Sequence, residues 1–263
     1  LHGGTPDVEL DGEVYEIAGR SFDELSDELK DIISGYRYSI SVIEDATEEE
    51  VEDIFYRLNS PTPLTQIQKS RSVMGTELAR WTRDILEKDF FTKAICLTQA
   101  QWRREGDLEV LLQTMLLLDN RSENYEYKAI SNTEVLKYCS HIRGTYSEEK
   151  RDVVDRLFSY LSEAFPEKHK FLKKSAVPMV AVIGQLAIEK GVSSEQYRSF
   201  IDSFANTVNE EYEANKGNGN VKRVKTEGRL LAMADDFGQY FNISNLVVIG
   251  GSAESEDANE AED

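Results

Sequence analysis

The spacing of apolar residues changes once along the chain, near residue 45. Before that point Val14-Tyr15-Glu16-Ile17 alternates after the turn signal Asp11-Gly12, and Tyr36 to Ile43 alternates with Tyr36, Tyr38, Ile40 and Val42 on one face. A period of two is that of half-buried strands. Between them Ser21-x-x-Glu24 reads as a capping box opening a helix with Phe22, Leu25, Leu29, Ile32 and Ile33 at its apolar positions and Gly35 at its end. Two strands and one helix are too few for a sheet that stands alone, so further strands are expected N-terminal to this chain or in a partner.

From residue 47 onward the period is helical. Thr47-x-x-Glu50 is a second capping box, Val51, Ile54, Phe55 and Leu58 line one face, and Asn59-Ser60-Pro61-Thr62-Pro63 stops the helix. A helix is expected from about Thr65 through Met74 to Leu86, an aromatic turn at Phe90-Phe91, and further helices near 99–118, 131–143, 147–163, 176–190, 194–214 and 223–241. The clearest begins at Ser193, which caps it with Gln196 closing the box, and its stripe is Tyr197, Phe200, Ile201, Phe204, Val208 and Tyr212. Lys216 to Asn220, rich in Gly and Asn, reads as a flexible break. The expected fold is predominantly α with a small N-terminal β element.

Composition narrows the class. With 30 Lys and Arg against 49 Asp and Glu the net charge is −19, the mean hydropathy is −0.48, and the apolar fraction of 40% is enough for a core. The longest apolar runs, 108–118 and 176–188, are shorter than the roughly 20 residues of a membrane span and read as buried core helices, so no membrane partner is expected. Cys96 and Cys139 stand alone, as free thiols in a reducing cytoplasm do. Six carboxylates and no Lys or Arg between Gly250 and Asp263 describe a solvated, disordered tail. The chain begins Leu1-His2-Gly3-Gly4 without Met, as a trimmed chain or a fragment would.

Most catalytic signatures are missing from the sequence. His2, His141 and His169 have no His or Cys partner at ligand spacing, no Gly-x-Ser-x-Gly elbow occurs, and Gly217-x-Gly219 continues into neither a dinucleotide fingerprint nor a P-loop. Glu48-Glu49-Glu50 complements the macrodipole of a helix start. Three basic clusters remain: Lys69-Ser70-Arg71 with Arg80 and Arg83 beyond it, Trp102-Arg103-Arg104, and Lys222-Arg223-x-Lys225. Each fits a phosphate, with Trp81 or Trp102 as a stacking surface for a base. Arg57 and Asn59 end their helix beside the Ser-Pro-Thr-Pro-Leu loop, a mouth suited to a phosphate or a strand backbone. Asn59 itself fits a C-terminal cap equally well.

Gly19-Arg20-Ser21-Phe22-Asp23-Glu24-Leu25, the Tyr36 to Ile43 segment, Thr47 to Asn59, Pro63-Leu64-Thr65 and Lys69-x-Arg71 together resemble the DUF262 family, relatives of the GmrSD type IV restriction enzymes. The resemblance covers about residues 10 to 90. It implies the remnant of a ParB/sulfiredoxin-like domain over 1–92, a multi-helix domain over 93–249 and the acidic tail over 250–263. Of the family's two motifs, Phe-x-x-x-Asn is present as Phe55 and Asn59. The Asp-Gly-Gln-Gln-Arg motif, associated with nucleotide hydrolysis and DNA cleavage, is not: Asp11-Gly12 continues as Glu13-Val14-Tyr15.

The resemblance therefore implies part of a phage or bacterial protein of the host cytoplasm that acts in nucleotide-dependent DNA restriction. The chain alone would be inactive, the complete protein would use a nucleoside triphosphate, and DNA, the N-terminal remainder and a second copy of the chain are the expected partners. Arg57, Asn59, Lys69, Arg71, Arg103, Arg104, Lys222 and Arg223 are the expected nucleotide- or DNA-binding residues, with no catalytic residue and no metal ligand among them. The competing reading is a non-enzymatic acidic protein that imitates DNA or acts as a scaffold for a host DNA-binding protein.

Overall fold

A computed structural model describes residues 8–10, 13–15, 17, 20–37, 42, 47, 50, 51, 54 and 64–250. The chain divides into two compact units, Leu1–Ala46 and Thr47–Asp263. In the first, β1 (Val8–Leu10) pairs antiparallel with β2 (Glu13–Tyr15) in the register Val8↔Tyr15, Glu9↔Val14 and Leu10↔Glu13, with Asp11-Gly12 between them. The Ser21/Glu24 capping box forms as expected, yet it opens only a short 3-10 segment, Phe22–Glu24. Leu25 is extended, and Ser26 caps α1 (Asp27–Gly35) by accepting the Leu29 amide. The helix starts late because Ser26, followed by Asp27 and Glu28 in the first turn, is the second of two competing caps. Tyr36 and Arg37 are not in a strand, and the rest of the expected strand up to Val42 and beyond it lies almost wholly outside the described residues.

The second unit is predominantly helical. The Thr47/Glu50 box is closed by reciprocal hydrogen bonds of 2.8 and 3.3 Å, and Glu50, Val51 and Ile54 are helical. Beyond the residues left undescribed come α2 (Gln66–Val73), α3 (Thr76–Leu86), a π segment (Phe90–Ala94), α4 (Gln99–Arg103), α5 (Gly106–Glu123), α6 (Asn132–Ile142), α7 (Glu148–Ala164), α8 (Val177–Glu189), α9 (Ser194–Asn206), α10 (Glu210–Ala214) and α11 (Arg223–Phe241).

The two expected core helices are α5 and α8, buried all round as an apolar run requires. They pack on each other; α3, α4 and α6 cover α5, while α7, α9 and α11 cover α8. One hydrophobic core runs from Ile67 to Val248, across position 92/93.

Three expected helices are each two. Gly75, at φ +85°, turns the chain between α2 and α3; Glu105, at φ +57°, does so between α4 and α5; Thr207 leaves helical geometry before Asn209 caps α10. Val208 falls in that last break and is exposed rather than on the buried stripe, whereas Tyr197, Phe200, Ile201, Phe204 and Tyr212 are buried. Gly250, assigned to the tail by composition, is buried and donates its amide to Asn120 Oδ1 at 3.2 Å. Residues 251–263 lie outside the described residues. No helix among the described residues is long and apolar enough to cross a membrane.

Candidate functional site

Helices α2 and α3 build an arginine-lined groove. Thr76, Ala79, Arg80 and Arg83 follow one face of α3 at helical spacing, while Leu78, Thr82 and Ile85 on the other face enter the core. The Gly75 turn folds α2 back so that Gln68, Arg71 and Ser72 face the same space, a groove of about 500 Å³. Arg71 is held there by Glu105, whose Oε2 accepts from its Nε at 3.1 Å. Arg80 and Arg83 are exposed, with no ion pair among the described residues. The first basic cluster thus converges around three of its arginines, with Lys69 half-buried and outside the groove lining.

The other expected site residues do not join it. Arg103 and Arg104 are exposed at the end of α4, and Trp102 beside them is 39% exposed. Trp81 is not an open stacking surface: it packs against Tyr146 with ring centroids 5.8 Å apart. Lys222 precedes α11 and is exposed, while Arg223 pairs with Glu227 at 2.7 Å and lies over the Tyr127 ring at 5.4 Å. Arg57 and Asn59 lie outside the described residues.

The Gly217–Asn220 break is not free. The Asn218 carbonyl accepts from Lys225 Nζ, the Asn220 carbonyl accepts from Thr226 Oγ1 and Arg229 Nη2, and the Val221 carbonyl accepts from the Ile130 amide. Positive φ at Gly217 and Gly219 explains the glycines, and the hydrogen bonds explain why the loop is fixed.

A second cleft, of about 740 Å³, was not anticipated from the sequence. Lys170, Lys173 and Lys174 reach it from the segment after α7, Glu109 and Gln113 from α5, and Arg229 from α11. That segment is anchored by the His169 amide to the Ala94 carbonyl, the Cys96 amide to the Leu172 carbonyl, and a 2.8 Å contact of His169 Nε2 with Asp202. The available signal was Lys168-His169-Lys170-x-x-Lys173-Lys174, four lysines and a histidine within seven residues of an acidic chain.

A buried polar cluster lies at the far end of α5. Asp119 accepts from the Tyr138 hydroxyl at 2.9 Å and from Lys150 Nζ at 3.1 Å, and Lys150 also meets Glu123 at 2.6 Å. Burial raises the Asp119 pKa although Tyr138 and Lys150 pull it down. Burial pulls Lys150 down, but its two carboxylates outweigh that and its pKa is raised. Because folded Asp119 holds its proton more tightly than an unfolded Asp, it favours folding most below the ordinary value of 3.8, and that contribution is lost as pH rises through the folded value. Asp119→Asn, which still accepts from Tyr138, should therefore gain stability relative to the parent as pH rises from about 4 to 7. Urea unfolding of both proteins across that range measures it; a constant difference refutes the assignment.

Among the described residues no group of His, Cys, Asp and Glu is arranged to hold a metal ion, and Cys96 and Cys139 are free thiols, the latter buried. Compared with known protein families, curated proteins and solved structures, the chain matches none.

Proposed function

We propose that the helical unit binds nucleic-acid phosphates in the groove of Arg71, Arg80 and Arg83, as part of a DUF262-type protein acting in nucleotide-dependent DNA restriction or a related DNA transaction. The convergence of these three arginines on one groove carries the reading. Two of them have no carboxylate partner among the described residues although the chain holds 49 acidic residues. An acidic protein that nevertheless engages DNA does so through placed cations, because its bulk charge repels phosphate. The Phe55 and Asn59 motif and its neighbours support the family reading on sequence. The nucleoside triphosphate, the N-terminal remainder and a second copy of the chain belong to that same proposal.

Binding of a fluorescent DNA duplex, followed by anisotropy over a salt series, tests it. The slope of log K against log salt should be near −0.9 for each phosphate neutralised, and Arg80→Ala with Arg83→Ala should reduce its magnitude by about 1.8. Both side chains are exposed, so the double variant keeps its fold. An unchanged slope removes the groove from the interface. Binding to a basic DNA-binding protein in place of DNA favours the acidic scaffold or DNA-mimic reading.

A further inference from the structure

Arg229 is 1% exposed and has no carboxylate within ion-pair distance among the described residues. Its guanidinium is held by neutral groups: Nη1 donates to the Ser175 carbonyl at 2.6 Å, Nη2 to the Asn220 carbonyl at 2.7 Å and Nε to the Lys225 carbonyl at 3.3 Å. The Tyr212 hydroxyl lies beside it. Burial lowers its pKa, but a guanidinium stays protonated, so its charge remains inside the protein with no opposite charge beside it. Carbonyls take three of the five N–H donors of the guanidinium, and a further hydrogen bond joins it to Tyr212.

The groups around Arg229 add positive charge. Lys170 and Lys173 are exposed on the wall of the cleft with no ion pair among the described residues. Lys174 is neutralised by Glu109, whose Oε2 lies 2.6 Å from its Nζ. Three uncompensated cations therefore line one concave space, in a chain whose net charge is −19. Low-dielectric walls concentrate such a field, and it selects anions. A cavity of about 740 Å³ is far larger than a lone ion needs and is of the size that encloses small organic ligands. Ile130 and Val221 give it an apolar side.

We propose that this cleft binds a small organic phosphate, its phosphoryl oxygens meeting Lys170 and Lys173 in the field of the buried Arg229 guanidinium and its uncharged part lying against Ile130 and Val221. The residues are distinct from those of the arginine groove, so either site can fail without the other.

Titration calorimetry on the full chain with inorganic phosphate, ribose 5-phosphate and AMP as probes tests it. At least one of the two organic phosphates should bind saturably and tighter than inorganic phosphate by about tenfold or more, reflecting the apolar side. Which one does so distinguishes a sugar phosphate from a nucleotide. Lys170→Gln with Lys173→Gln should weaken that binding by about tenfold or more, the scale of a lost charge-assisted hydrogen bond. Neither lysine makes an ion pair in the described structure, so ligand-free thermal stability should be unchanged. The arginine-groove double variant should retain the binding.

Any of four results overturns the proposal: no saturable binding of an organic phosphate at millimolar concentration; inorganic phosphate binding as tightly as the organic ones; affinity unaffected by the two lysine changes; or loss of binding in the arginine-groove variant instead.

Discussion

Arg229→Ala should remove about 2–4 kcal/mol of stability, seen as a lowered urea midpoint at unchanged slope. The cost comes from what the side chain joins. Ser175 precedes α8, Asn220 belongs to the loop before α11, and Lys225 lies one turn back on α11 itself. Truncation removes one of the loop's ties to α11 and the tie of the α8 entry to it, and leaves the Ser175 carbonyl without this donor. The Asn220 carbonyl retains Thr226 Oγ1 at 3.2 Å, which keeps the loss below that of three independent bonds. Arg229→Lys separates charge from geometry. It restores the cation but not the planar fork, so it should recover less than half of the loss. A lysine variant as stable as the parent would show that the charge alone suffices.

The same residue shows where legibility ends. On α11 it interrupts a buried row of Thr226, Leu230, Met233 and Phe237, and a sequence read by hydrophobic period passes over one polar residue on an apolar face. Its cleft collects residues from positions 96 to 229, and no local pattern announces convergence over that span. The arginine groove was more legible because Arg80 and Arg83 are three apart on one helix; bringing Arg71 to them needed the Gly75 turn. The core helices were plain because an all-apolar run has only a buried solution. Helix breaks were less so: Gly75 carries a compositional mark, but Glu105 adopts positive φ with a side chain that gives no warning. The basic segment of Lys168 to Lys174 was visible in the sequence, and only its position beside Arg229 gives it significance.

Phe200 and Val208 were expected to share one stripe, and their substitutions should now diverge. Phe200 is buried on α9 and lies against Tyr197, Phe204, Phe237, Tyr240 and Phe241, meeting Phe237 edge-on at 5.3 Å. Removing the ring opens a cavity between α9 and α11 that rigid aromatic neighbours cannot close, so Phe200→Ala should cost about 3–5 kcal/mol. Val208 is 78% exposed. The helix ends at Asn206, and Asn209 begins α10 by accepting the Tyr212 amide at 2.8 Å. Tyr212 therefore reaches the core from a new helix, and Val208 is left in the connection between the two. Val208→Asp should change stability by no more than about 0.5 kcal/mol. A continuous helix through 206–210 would bury Val208 and make the same aspartate cost several times that, so chemical unfolding of the two variants side by side decides whether the chain breaks here.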